Sequence, residues 1–111
     1  MEIIWTDFAK ESVLDLLLFI RKCWGDTIAT TAWGSIQKDI ALLEHFPEIG
    51  QVYLTNKQLD LVIRELVVNK KNKVYYYIRN DKVYIIMAWD TRKNPETLKT
   101  LFHHFFKINR H

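Results

Sequence analysis

Between Leu59 and Trp89 the chain is dominated by β-branched and aromatic residues, interrupted at only two places, Asn69-Lys70-Lys71-Asn72 and Asn80-Asp81. Both interruptions have the length and residue types of hairpin connections, because Asn and Asp tolerate left-handed backbone and hydrogen-bond their own main chain. Three strands are expected, Leu59 to Val68, Lys73 to Arg79 and Lys82 to Trp89. Consecutive hairpin-linked strands form an antiparallel meander. Such a sheet must bury at least one face, so the rest of the chain has to cover it.

The N-terminal part has the right pattern for a cover. Glu2 to Trp5 is short, apolar and β-prone, and reads as a further strand beside the meander. Thr6-Asp7 offers a helix cap. Beyond it Ala9, Val13, Leu16, Leu17, Ile20 and Trp24 recur on one helical face. Leu14 and Leu18 fall off that face, an apolar stripe that a two-layer domain does not use. Gly25-Asp26-Thr27 turns the chain, and Ile28, Ala32, Trp33, Ile36, Ile40 and Leu43 share the inward face of a second helix that Pro47 stops. Asn94-Pro95-Glu96 opens a final helix, with Asn at the N-cap, Pro at the first helical position and Glu at the positive end of the dipole. The expected order is β-α-α-β-β-β-α, an α+β fold with an N-terminal helix hairpin packed on a four-stranded antiparallel sheet and a C-terminal helix. The 111 residues make one domain, 1–111.

Composition narrows the function classes. A hydrophobic fraction of 49% with 3 Gly and 2 Pro excludes disorder and low-complexity linker. The longest apolar run, Val83 to Trp89, is far short of the roughly 18 residues a membrane span needs. No basic region precedes an apolar stretch at Met1-Glu2-Ile3-Ile4-Trp5, so no signal peptide is read and a cytoplasmic protein is expected. A single cysteine, Cys23, cannot form an internal disulfide. Charge is divided unequally. Residues 1–60 carry five Lys/Arg against nine Asp/Glu, net −4, and residues 61–111 carry eleven against four, net +7. The basic half favours a polyanion or an acidic protein segment, or is a solvated surface.

Five segments together resemble one family. Trp5-Thr6-Asp7 with Ala9, the block Phe46-Pro47-Glu48-Ile49-Gly50, the strand Arg64-Glu65-Leu66-Val67-Val68, the strand around Tyr77-Ile78, and Trp89-Asp90-Thr91-Arg92-Lys93-Asn94-Pro95 resemble the RelE/ParE superfamily of bacterial type II toxin–antitoxin toxins. The resemblance runs from about Ile3 to Leu98. It implies a helix hairpin on an antiparallel sheet, and a growth-inhibiting toxin neutralised by a small antitoxin that wraps it. Operator DNA would be met only through the antitoxin. RelE-like members bind in the ribosomal A site and cut mRNA, whereas ParE-like members inhibit DNA gyrase and are not nucleases. Some members are inactive and act only as binding modules. The leading expectation is ribosome-dependent mRNA cleavage, with gyrase inhibition as the alternative.

Cleavage by 2′-hydroxyl attack needs a base, positive charge on the phosphate and an acid for the leaving oxygen. The resemblance implies Arg64, Arg92 and Tyr77 as the catalytic group, since arginine grips phosphate bidentately and stays charged. Arg64 could instead be a sheet-surface charge paired with a carboxylate, and Arg92 a strand-end cap. Tyr75 and Tyr77 fall on one sheet face and Tyr76 on the other, where stacking on a base or cross-strand packing would each use them. Lys57, Lys70, Lys71, Lys73 and Arg79 are the candidate RNA contacts, the hairpin lysines also serving to blunt a turn. The Leu14-Leu18 stripe with Phe19, and Phe102 and Phe105 in the last helix, are the candidate antitoxin surface, with a homodimer contact or a core edge as the alternatives. His103 and His104 are adjacent, about 100° apart on a helix, and do not form a metal-binding i,i+4 pair. Neither a metal nor a cofactor is expected.

Overall fold

The computed structural model describes residues 1–108. Its elements are β1 (Glu2–Trp5), α1 (Asp7–Trp24), α2 (Asp26–Leu42), β2 (Gln51–Asn56), β3 (Leu61–Val68), β4 (Asn72–Arg79), β5 (Lys82–Asp90) and α3 (Pro95–Ile108). The fold class is α+β as expected, with a helix hairpin, a sheet and a terminal helix. The single-domain expectation extends to residue 111, and residues 109–111 lie outside the described ones.

The sheet has five strands, in the order β1-β5-β4-β3-β2, where four were expected. The additional strand is β2, antiparallel to β3. Its pairing shifts register between Val52 and Leu54. Tyr53 is the extra residue there, so the period-two alternation that announces a strand is broken in the middle of it. β3 begins at Leu61, not Leu59, because Lys57 to Asp60 form the β2–β3 turn. In that turn Asp60 N–H bonds Lys57 O, and Asn56 Oδ1 accepts from Leu59 N–H. β1 pairs in parallel with β5, so the sheet is mixed and not wholly antiparallel. Asn80 and Asp81 both have positive φ, the two-residue turn their types implied.

Three layers result, not two. On one sheet face, α1 and α2 bury Ala9, Val13, Leu16, Ile20, Ala32, Ile36, Ile40 and Leu43 against Val68, Val74, Tyr76, Val83 and Ile85. On the other face, α3 buries Leu98, Phe102 and Phe105 against Ile63, Tyr75, Met87 and Trp89. Phe102 and Phe105 are therefore core residues of this chain. The amphipathic face of α3 is spent on the sheet, which corrects their assignment to an antitoxin surface. Trp24 and Ile28, read as inward-facing, are exposed, because the hairpin turn carries them past the core.

Thr6 caps α1 by accepting from Ala9 N–H through its hydroxyl, which also donates to Ile85 O. Gly25, with φ of 95°, ends α1 and opens α2. β1 runs only as far as Ile85, which leaves the β5 edge beyond it unpaired by strand. The Ser12 hydroxyl takes over there, accepting from Ala88 N–H at 3.0 Å.

Candidate functional site

The candidate residues divide into two sets of contacts. The first surrounds the Pro47-to-Gly50 turn between α2 and β2. Tyr76, buried in mid-β4, donates its hydroxyl proton to Pro47 O at 2.8 Å and accepts from Gly50 N–H at 2.9 Å. Burial pushes this hydroxyl's pKa up, opposed by the Gly50 hydrogen bond and the nearby Arg64 charge. A Cβ at Gly50 would lie 2.7 Å from the Tyr76 hydroxyl oxygen and 3.0 Å from Glu65 O, so any larger residue forces Tyr76 or the β3 backbone to shift. Arg64, opposite Tyr76 in the β3–β4 ladder, points the same way. Its Nη1 donates to Gly50 O at 2.8 Å and to Glu48 O at 3.3 Å. Among the described residues Arg64 has no carboxylate partner, and its Nε and Nη2 donate no hydrogen bond. Val52, its ladder partner, and Val62 flank it with 56% and 43% of their surfaces exposed.

The second set lies where β5 ends. The Asp90 carboxylate is wholly buried. Arg92 closes on it side-on, with Nε 2.8 Å from Oδ1, Nη2 on Oδ2, and its own backbone N–H 2.8 Å from Oδ1. Asn72 Nδ2 adds a bond to Oδ2 at 3.3 Å. The guanidinium carbon sits 3.5 Å from the Trp24 ring centroid. Burial alone would raise the Asp90 pKa, but the hydrogen bonds from Arg92 and Asn72 outweigh it and hold the carboxyl below its ordinary value. The same pairing raises Arg92.

The expected catalytic group is thus not assembled. Arg64 faces the hairpin side of the sheet, while Tyr77 belongs to the α3 side, stacked on Tyr84 at 4.9 Å between centroids. Arg92 is neutralised by Asp90. Asp90 faces Asn72 across β4–β5, whereas Arg64 faces Tyr76 across β3–β4. That separates the two anchors by about 13 Å along the strands and about 10 Å across them. Burial raises the Tyr77 hydroxyl pKa, helped by Tyr84 and opposed by Arg79.

The candidate RNA contacts divide as well. Lys57 is exposed at the β2–β3 turn. Arg79 is anchored beside it through Leu59 O and Asp60 O, at 2.8 and 2.9 Å. Lys70 and Lys71 lie at the opposite end of β3. Lys73 pairs with Glu65 at 3.0 Å, and Glu65 also accepts from the Tyr75 hydroxyl. Leu14 and Leu18 are 63% and 56% exposed on the outer face of α1, and Phe19 is half-buried against Trp24. Among the described residues no three His, Cys, Asp or Glu side chains gather as metal ligands, and no helix is long and apolar enough to cross a membrane.

The sequence did not reveal Asp90, Trp24 and Asn72 as the partners of Arg92, nor Tyr76 and Gly50 as the pins of the turn. The Pro47-to-Gly50 block was visible as a motif, but its contacts come from strands distant in sequence. Val52 was missed because β2 was missed.

No family model matches the chain, and no curated protein sequence matches it. Among solved structures it is similar to one described as the chromosomal ParDE TA system from P. aeruginosa. The TM-score is 0.67 at 13% sequence identity, covering 83% of this chain and 97% of that one. The helix hairpin, sheet and terminal helix are a ParE-like fold.

Proposed function

We propose that this ParE-like fold serves as the toxin of a type II toxin–antitoxin pair, held inactive by a cognate antitoxin, and that it stops growth by binding a protein target rather than by cutting mRNA. The observation that carries the second half is the Arg92–Asp90 pair. An arginine whose charge is cancelled by a buried carboxylate cannot offer a full positive charge to a phosphate in the transition state. With Tyr77 on the other face from Arg64, no base, clamp and acid among the described residues surround one reacting phosphate. DNA gyrase, the target of ParE-like toxins, is the protein target this reading assigns.

Leu14, Leu18 and Phe19 are the proposed antitoxin seat on α1. Two exposed leucines at i,i+4 spacing present one apolar strip to a partner helix or strand. Arg64 contributes by fixing the Pro47-to-Gly50 turn, with two guanidinium nitrogens left for a partner.

The test is expression of the chain without an antitoxin. Growth arrest with an SOS response and intact mRNA supports the reading. Transcripts cut within codons refute it in favour of cleavage, and unimpaired growth refutes the toxin role altogether.

A further inference from the structure

We propose that the end of the molecule formed by the β3–β4 turn and the β5–α3 loop binds the phosphate backbone of a nucleic acid without reading its sequence, through Lys70, Lys71 and Lys93. The Lys93 side of this site adjoins Phe19 of the antitoxin seat, and the proposal does not depend on the toxin reading.

The two loops are held as one surface. Thr91 donates to Lys71 O twice, from its backbone N–H at 2.8 Å and from its hydroxyl at 3.0 Å. Asn69 and Lys70 adopt positive φ, 47° and 68°, and Asn69 Oδ1 accepts from Lys71 N–H, so the turn's shape is locally determined. Both lysines of the turn are exposed. The Arg92–Asp90 pair anchors the loop that carries Lys93 to the end of β5, and Trp24 buttresses it from α1. Lys93 lies over Trp89, with its nitrogen 4.7 Å from the ring centroid, and 5.3 Å from that of Phe19.

The charge of the two turn lysines is not consumed internally, and that of Lys93 rests on the Trp89 and Phe19 rings. Among the described residues Lys70, Lys71 and Lys93 make no ion pair. Asp15 lines the same cleft as Lys93. Asp90 is already matched by Arg92, and Glu96 by Lys99.

The chemistry favours phosphates over an acidic protein segment. Asn69, Lys70 and Lys71 place no apolar side chain at the tip of the turn, so a protein partner finds nothing at the tip itself to anchor it by burial, and the exposed apolar surface lies behind it at Val67 and Trp24. A phosphate backbone needs only cations at intervals, and compact ammonium groups on long stems supply that.

Binding of a fluorescent single-stranded RNA 20-mer, and of a duplex DNA of equal length, is measured by anisotropy from 50 to 200 mM salt. The wild-type chain should bind at 50 mM, with affinity falling linearly on a log–log salt plot. Lys70→Gln/Lys71→Gln/Lys93→Gln should weaken RNA binding about tenfold or more and flatten the slope by about 2, three phosphate contacts at roughly 0.7 each. Lys70→Gln/Lys71→Gln, confined to an exposed turn, should flatten it by about two-thirds as much. Lys38→Gln, on the outside of α2, should change neither quantity. The proposal is overturned by no RNA or DNA binding at 50 mM salt, by a triple variant equal to wild type, or by Lys38→Gln being as damaging. Poly-glutamate of matched length binding as tightly as the RNA overturns it in favour of an acidic protein partner.

Discussion

Arg92→Met leaves the Asp90 carboxylate buried without its cation. Asp90 has no exposed side-chain surface, and what would remain is the backbone N–H of residue 92 and one 3.3 Å bond from Asn72. Breaking a buried pair from one side costs about 3–5 kcal/mol. Arg92 keeps 32% of its side chain in water, so the lower end, about 3 kcal/mol, is expected. For a chain of this size each kcal/mol moves the midpoint by about 4 °C, so thermal unfolding followed by circular dichroism should fall by about 12 °C at pH 7. Asp90→Asn/Arg92→Met removes the stranded charge and should recover a substantial part of that loss. The pH dependence has a definite sign. Because Asp90 titrates below its ordinary value of 3.8 when folded, its stabilisation is complete above that value and disappears as pH falls through the folded one. The gap between wild type and Arg92→Met should therefore be wide at pH 7 and close at acid pH below about 4. A single variant melting within about 2 °C of wild type, or a double variant no more stable than the single, would refute the structural role given to this pair.

Other consequences follow from the same contacts. Gly50→Ala forces a Cβ against the Tyr76 ring and Glu65 O, and should destabilise by about 1–3 kcal/mol, read from the urea midpoint. Tyr76→Phe strands the Gly50 N–H and Pro47 O together and should cost about 1–3 kcal/mol in the same assay. Leu14→Glu/Leu18→Glu, on exposed positions, should leave the melt within about 0.5 kcal/mol of wild type while weakening antitoxin binding at least tenfold. Unchanged antitoxin affinity would remove α1 from the interface.

The helix hairpin was readable because its buried residues repeat at 3.6, and the Asn80-Asp81 turn because both residues suit left-handed backbone. β2 was not readable, since the bulge at Tyr53 puts that residue and Leu54 on the same side of the sheet. The third layer was half-visible. α3 announced its apolar face in Leu98, Leu101, Phe102 and Phe105, but which surface would receive it depends on both sheet faces being apolar. Arg92 illustrates the harder limit. Its pairing with Asp90 two residues earlier depends on a bend after β5, and its stacking on Trp24 depends on where α1 ends. Periodicity made Trp24 an inward residue, whereas the end of the helix lies beyond the sheet and turns the indole toward the loop. Arg64 kept its mid-strand position, but its hydrogen bonds go to turn carbonyls that no spacing rule connects to it.

The most direct test of the central claim is DNA supercoiling by purified gyrase with the purified chain added at increasing molar ratio. Supercoiling should stop near stoichiometric amounts, while mRNA incubated with ribosomes and the same chain stays intact. Full gyrase activity together with mRNA cut in the ribosomal A site would contradict it.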